Sequence, residues 1–254
     1  MKNNLTIAIL QYDIVWENPE ANFQKIEQII EGVKADIFLL PEMFSTGFSM
    51  TPEKVAEQAY GPSFLFLQRL AIEKNAAFCA SIPVKSGNKY YNRLYWVAPN
   101  EVFFTYDKKH LFSYAGEDKH YSPGTEKRTV PHDGWNFLPL VCYDLRFPYW
   151  SSNDGSIDII FYVANWPEAR IAHWDLLLPA RALENQCYCF GINRTGKDDE
   201  GNVYPGHSIG YKYDGTPLEN LSKNDEVLLY EVDKESLSGF RKKFPFLKDV
   251  DQEV

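Results

Sequence analysis

Between residues 5 and 40 an apolar run, an amphipathic run and a second apolar run follow one another closely, and few folds accept that order. Residues 5–12 read as a buried strand. Residues 18–34 carry Phe23, Ile26, Ile29, Ile30 and Val33 at helical spacing, and residues 36–40 read as a second buried strand. A strand, a crossover helix and a strand give parallel neighbours in one sheet, with the helix packed on its face. Ligands of such sheets bind at the C-terminal edge. Here that edge carries Pro41-Glu42-Met43-Phe44-Ser45-Thr46-Gly47-Phe48.

The alternation continues with a helix over residues 64–74 and a strand over 76–83. Two aromatic-rich strands, 90–98 and 102–106, flank the turn signal Pro99-Asn100 and predict a hairpin. Residues 108–125 are polar and irregular. Strands are expected at 157–164 and 188–193 with a helix over 171–185 between them, and final strands at 208–213 and 226–232. These strands are too many for one open sheet covered by helices on both faces, so two packed sheets are expected. With no linker composition and no internal repeat, residues 1–254 read as one domain. Residues 236–254, which include Lys242-Lys243-Phe244-Pro245-Phe246, read as a C-terminal arm.

A formal net charge of −9 argues against nucleic acid or a membrane surface as a partner, because both select basic faces. A small soluble molecule is the expected partner. The opening apolar stretch ends at Gln11, too short for a secretory signal, and no later stretch approaches a membrane span, so a cytoplasmic location is expected. Four cysteines, Cys79, Cys142, Cys187 and Cys189, show no framework spacing and would stay reduced. Cys187 and Cys189 lie two apart but lack a second ligand pair, and the five histidines are scattered. Neither a metal nor a cofactor is expected.

Three polar residues follow apolar runs. Glu42 follows Phe38-Leu39-Leu40-Pro41, Lys108 follows Phe103-Phe104-Thr105-Tyr106-Asp107, and Cys142 follows Leu138-Pro139-Leu140-Val141. Each alone has a bland explanation: a solvated turn, an exposed charge pair with Lys109, and a small buried hydrophobe. Together they supply what amide hydrolysis needs. A carboxylate takes a proton, a thiolate attacks the carbonyl carbon, and an ammonium stabilises the oxyanion. An exposed turn and a positive neighbour are what would make the thiol reactive near neutral pH.

The segments Leu40-Pro41-Glu42-Met43-Phe44, Tyr106-Asp107-Lys108-Lys109-His110-Leu111-Phe112 and Cys142-Tyr143-Asp144-Leu145-Arg146-Phe147-Pro148 resemble the nitrilase superfamily of carbon–nitrogen hydrolases, in the family's order. The resemblance extends to Ala164-Asn165-Trp166-Pro167, to Ala180-Arg181-Ala182-Leu183-Glu184-Asn185 and to Asn193-Arg194-Thr195-Gly196. It implies an α/β fold, a four-layer αββα sandwich of two mixed sheets flanked by helices, assembled as a homodimer. By position it makes Glu42 the general base, Lys108 the catalytic lysine and Cys142 the nucleophile. Lys108 and the backbone N–H of Tyr143 would form the oxyanion hole. Glu117 aligns with the family's second glutamate, with Asp118 as fallback.

Within that superfamily, the segment Phe44-Ser45-Thr46-Gly47-Phe48-Ser49-Met50 and the Trp166 segment with Arg170 are most similar to the omega-amidase branch. Its members hydrolyse the terminal amide of 2-oxo acids such as 2-oxoglutaramate and 2-oxosuccinamate. Such a substrate carries a carboxylate at its far end, so its pocket needs a cation and hydrogen-bond donors. Phe48, Tyr114, Trp166 and Arg170 are the candidates to line it. Trp166 has packing as its alternative role, and Arg146 has a structural ion pair with Asp144 or another carboxylate. The competing functions are another carbon–nitrogen hydrolase of the same superfamily, acting on a carbamoylated amine or a different small amide, and a non-catalytic scaffold on the same fold.

Overall fold

A computed structural model of the chain describes residues 2–100 and 102–250. Its first sheet has seven strands. Six run in the order Val227–Asp233, Asn4–Leu10, Ile37–Leu39, Ala77–Ser86, Lys89–Val97 and Phe103–Asp107, and Glu57–Gln58 pairs off Ala77–Ser86. The strand-helix-strand unit read from the N-terminus is present: Asn4–Leu10 and Ile37–Leu39 pair in parallel. The helix between them is shorter than its apolar periodicity suggests. It spans Pro19–Ile29 and stops before Gly32, whose φ of +71° no helix accommodates.

The second sheet has five strands, in the order Ile209–Tyr211, Tyr188–Asn193, Ile159–Ala164, Trp135–Val141 and Val130–His132. Both sheets mix parallel and antiparallel pairs. Alternation along the first strand builds two cores. Leu5, Ile7 and Ile9 join the apolar cluster of the second sheet, whereas Ala8 and Leu10 join Ile26, Ile29, Leu67 and Leu70 of the outer helices. Each such Leu or Ile contributes about 1.5–3 kcal/mol relative to exposure. On the far side, helix Ile171–Asn185 packs so closely on Tyr188–Asn193 that a Cβ at Gly191 would collide with Leu178 and Trp174. The layers are therefore helix, sheet, sheet, helix, as expected.

The expected C-terminal arm is corrected. Lys234–Lys243 is a helix, capped by Asp233 and anchored by buried Leu237. Arg241 in it donates to the carbonyls of Gln186, Gly155 and Ile157. The Phe-Pro-Phe composition suggested an extended tail, but Asp233 ahead of Ser236 is an N-cap signal, and it governs where the helix starts. Residues 251–254 of the arm lie outside the described residues. Among the described residues, no helix is long and apolar enough to cross a membrane.

Candidate active site

Glu42, Lys108 and Cys142 each lie just past a strand, on three strands drawn from both sheets. The folding of those ends is specific. Cys142 opens a short turn, Cys142–Arg146, with φ of +44°, a conformation that non-glycine residues rarely adopt and that lifts a side chain off a strand end. Asp144 holds that turn by accepting from Val141 N at 3.1 Å. The same carboxylate accepts from Tyr106 Oη at 2.7 Å and from His110 N at 2.9 Å. It thereby ties the loop carrying Lys108 to the turn carrying Cys142. Arg146, read as its alternative partner, does not pair with it.

Glu42, Lys108 and Glu117 meet with no exposure to solvent. Lys108 Nζ lies 2.9 Å from Glu42 Oε1, and 3.0 and 2.9 Å from the two oxygens of Glu117. Glu117 opens the short helix Glu117–His120 inside the segment read as irregular, and its carboxylate also accepts from Phe112 N. Asp118, the fallback, points to solvent, and Lys109 rests on the Trp150 ring instead of entering the site. Burial opposes the charge on Lys108, yet Glu117 and Glu42 outweigh it and hold its pKa above the usual lysine value. Burial raises the pKa of Glu117, against the pull of Lys108.

The thiol departs from expectation. Cys142 is 9% exposed, and burial, followed by the Glu42 carboxylate, pushes its pKa well above the ordinary thiol value against the opposing pull of Lys108. An exposed turn would favour a reactive thiol, but Cys142 is packed in, and the Asn165 carbonyl lies 4.0 Å from its Sγ. A raised pKa favours the protonated thiol over the thiolate. The N–H of Tyr143 lies in the first turn of Cys142–Arg146, where amides have no acceptor within the helix.

Two asparagines complete the floor, and neither was a candidate from the sequence. Asn92 Nδ2 donates to Glu42 Oε1 at 2.7 Å, and Asn165 donates from its backbone N to Glu42 Oε2 at 2.9 Å. Asn165 carried a signal, since it lies in a segment bearing the family resemblance. Asn92 sits mid-strand in an aromatic run, where a buried amide is the anomaly that could have flagged it.

Above this floor opens a cavity of about 190 Å³ lined by Cys142, Tyr143, Phe48, Tyr114, Trp166 and Arg170, together with Arg146, Met50, Glu200 and Tyr204. All four residues expected at the substrate are on its wall. Trp166 also packs: it is 3% exposed and donates through Nε1 to the Arg170 carbonyl at 2.8 Å. The Arg170 guanidinium lies 4.9 Å from the centre of the Phe112 ring. Arg146, set aside as structural in the sequence, lies 4.9 Å from the centre of the Trp166 ring and contacts His173 at 2.9 Å.

Residues 6–242 match the carbon–nitrogen hydrolase family. The chain belongs to that family. Among curated relatives of this carbon–nitrogen hydrolase, the omega-amidase YafV of Yersinia enterocolitica is 38% identical, with 98% of each chain covered. The 2-oxoglutaramate amidase of Bacillus subtilis is 31% identical, again over 98% of each. The crystal structure of XC1258 from Xanthomonas campestris, a CN-hydrolase superfamily protein, superposes with a TM-score of 0.95 at 33% identity, covering 100% of this chain and 99% of that one. The fold is therefore the nitrilase fold, and the protein is an amidase of that superfamily.

Proposed function

We propose that this amidase is an omega-amidase, hydrolysing the terminal amide of a short 2-oxo acid such as 2-oxoglutaramate or 2-oxosuccinamate to the dicarboxylate and ammonia. The observation that carries the reading is one cavity lined by the Cys142 thiol and by two arginines, Arg146 and Arg170, with the buried Glu42–Lys108 pair close behind the wall that holds the thiol. The relatives named omega-amidase and 2-oxoglutaramate amidase support it. A substrate with an amide at one end and a carboxylate at the other matches that polarity.

In this mechanism Glu42 removes the Cys142 proton as the sulfur attacks the amide carbon, so no free thiolate need accumulate. That suits a thiol whose pKa is raised. Lys108 and the Tyr143 N–H receive the charge that develops on oxygen. Glu42 passes the proton to the departing nitrogen, ammonia leaves, and a thioester remains. Glu42 then deprotonates water, which attacks the thioester and returns the thiol. Glu117 holds Lys108 in place. Arg146 and Arg170 take the substrate carboxylate, with Phe48, Tyr114 and Trp166 as walls. Self-pairing into a homodimer is supported by Leu176 and Leu183, exposed on the Ile171–Asn185 helix, and light scattering at twice the chain mass would bear it out.

The decisive test is a substrate panel coupled to quenched intact-mass spectrometry. A 2-oxo-acid amide should be hydrolysed far faster than carbamoyl amines and should leave an acyl adduct on Cys142. Preference for carbamoyl amines would replace this reading with the carbamoyl-amine hydrolase, and absence of hydrolysis of any amide would leave the scaffold.

A further inference from the structure

We infer that Asn92 is a positioning residue of the reaction, and that it directs the travelling proton to one particular oxygen of Glu42. The inference rests on the reading of Cys142 as nucleophile and Glu42 as its base, whichever amide is the natural substrate.

An ionised carboxylate offers about four lone-pair sites, two on each oxygen. Glu42 Oε1 has both of its sites filled, by Lys108 Nζ at 2.9 Å and Asn92 Nδ2 at 2.7 Å. Oε2 accepts from Asn165 N at 2.9 Å, which leaves it one site. That remaining site is where the thiol proton can arrive. As the S–H bond breaks, the O–H bond forms at Oε2 and the sulfur electron pair goes to the amide carbon. The same oxygen then releases the proton to the departing nitrogen. Without the Asn92 donor, Oε1 would have an open site of its own, where Asn92 now donates, and the proton would have two oxygens to choose between.

The orientation of the Asn92 amide is not arbitrary. Reversing it would set its oxygen 2.7 Å from Glu42 Oε1 and also towards Glu117 Oε1, which Nδ2 now approaches at 3.5 Å. Holding it this way leaves Asn92 Oδ1 buried with no hydrogen-bond partner among the described residues. Buried polar atoms are rarely left so, because the lost hydration is not recovered. An apolar side chain of similar shape would leave no such orphan, so packing alone gives no reason for an amide at this place. The donor gives one. Two carboxylates share one ammonium here, and a neutral donor relieves the surplus negative charge without adding a second cation. The backbone of Asn92 acts in the same direction, since its carbonyl accepts from Lys108 N at 2.9 Å and fixes where that lysine leaves the strand.

Two variants test this, assayed by pre-steady-state release of ammonia and by thioester hydrolysis, with Cys142→Ala alongside. Asn92→Leu should lower kcat about 30- to 100-fold in both half-reactions while KM stays within about threefold. Asn92→Asp is close to isosteric, and its introduced carboxyl can donate only when protonated. Its rate relative to the unsubstituted enzyme should therefore climb about tenfold as the pH falls from about 8 to about 5.5, a recovery that a purely structural residue would not give. If Asn92→Leu fails to fold by circular dichroism, the pH series of Asn92→Asp decides by itself. A kcat within threefold in folded Asn92→Leu, or a flat ratio across pH in Asn92→Asp, overturns the inference. Hydrolysis that survives Cys142→Ala would overturn the underlying mechanism instead.

Discussion

The floor and the rim of the cavity use the same kinds of charge in opposite ways. On the floor, Glu42, Lys108 and Glu117 have no solvent exposure, and each is held by several hydrogen bonds. At the rim, Arg146 and Arg170 lie over aromatic rings, and Tyr114 is 86% exposed. The floor groups lose their water at folding, so their positions are set before substrate arrives, which is what stabilising a developing charge requires. The rim cations keep part of their hydration and a flat apolar support. They are suited to selecting a ligand rather than to acting on it.

Breaking the floor should have the largest effect. Glu117→Ala removes one of two carboxylates around a fully buried ammonium, a loss that typically costs about 3–5 kcal/mol of stability. Chemical denaturation should show it, and kcat should fall about 100-fold or more because Lys108 keeps only its contact with Glu42 and is held less firmly. A change confined to KM would instead place Glu117 among the substrate contacts. The raised pKa values of the buried thiols, Cys142 at the floor and three others in the core, give a second, smaller prediction. A group whose pKa is higher in the folded than in the unfolded state stabilises the fold below its unfolded pKa and loses that contribution as pH rises. Cys79, Cys142 and Cys189 all lie well above the usual thiol value through burial, and burial takes Cys187 to about 12. The melting temperature should therefore hold up to about pH 9 and decline beyond it. Alkylation of Cys142 by iodoacetamide at about pH 7.5 should run about tenfold or more slower than that of a free thiol. Fast labelling there would mean a resting thiolate.

The sequence made strand ends more legible than what surrounds them. Glu42, Lys108 and Cys142 stand out because a polar residue directly after an apolar run is a break in pattern. The two-sheet architecture followed from the number of such runs. Asn92 broke its pattern too, but in the middle of a strand, where an amide between aromatic residues reads as one polar face of a hairpin. Its partners, Glu42 and Glu117, are 50 and 25 residues away in the chain, and only the closed fold brings them together. The burial of the thiol is hidden in the sequence for the same reason. Exposure at a turn depends on what packs over it, and Asn165 comes from a different strand end. Arg146 was obscured by the nearness of Asp144, an ion pair that looks natural along the chain. The turn that lifts Cys142 sends those two side chains to opposite tasks.

The rim can be sharpened by asking which cation does more. Arg146 is four residues from Cys142 on the same turn, near the rings of both Tyr143 and Trp166 and in contact with His173. Among the described residues, Arg170 rests on the Phe112 ring alone. A guanidinium that stacks and donates in a fixed direction is poorly replaced by an ammonium, whereas one acting mainly through its charge is replaced well. Arg146→Lys should thus raise KM for a 2-oxo-acid amide about tenfold, and Arg170→Lys only about twofold, with kcat near that of the unsubstituted enzyme in both. Replacement by Met should raise KM about tenfold or more at either position, and should scarcely change it for an uncharged amide of the same length. Equal losses on charged and uncharged amides would mean that the arginines hold the walls of the cavity and not the carboxylate. The rim would then be, like the floor, a structural frame, and selection would fall to the aromatic residues between them.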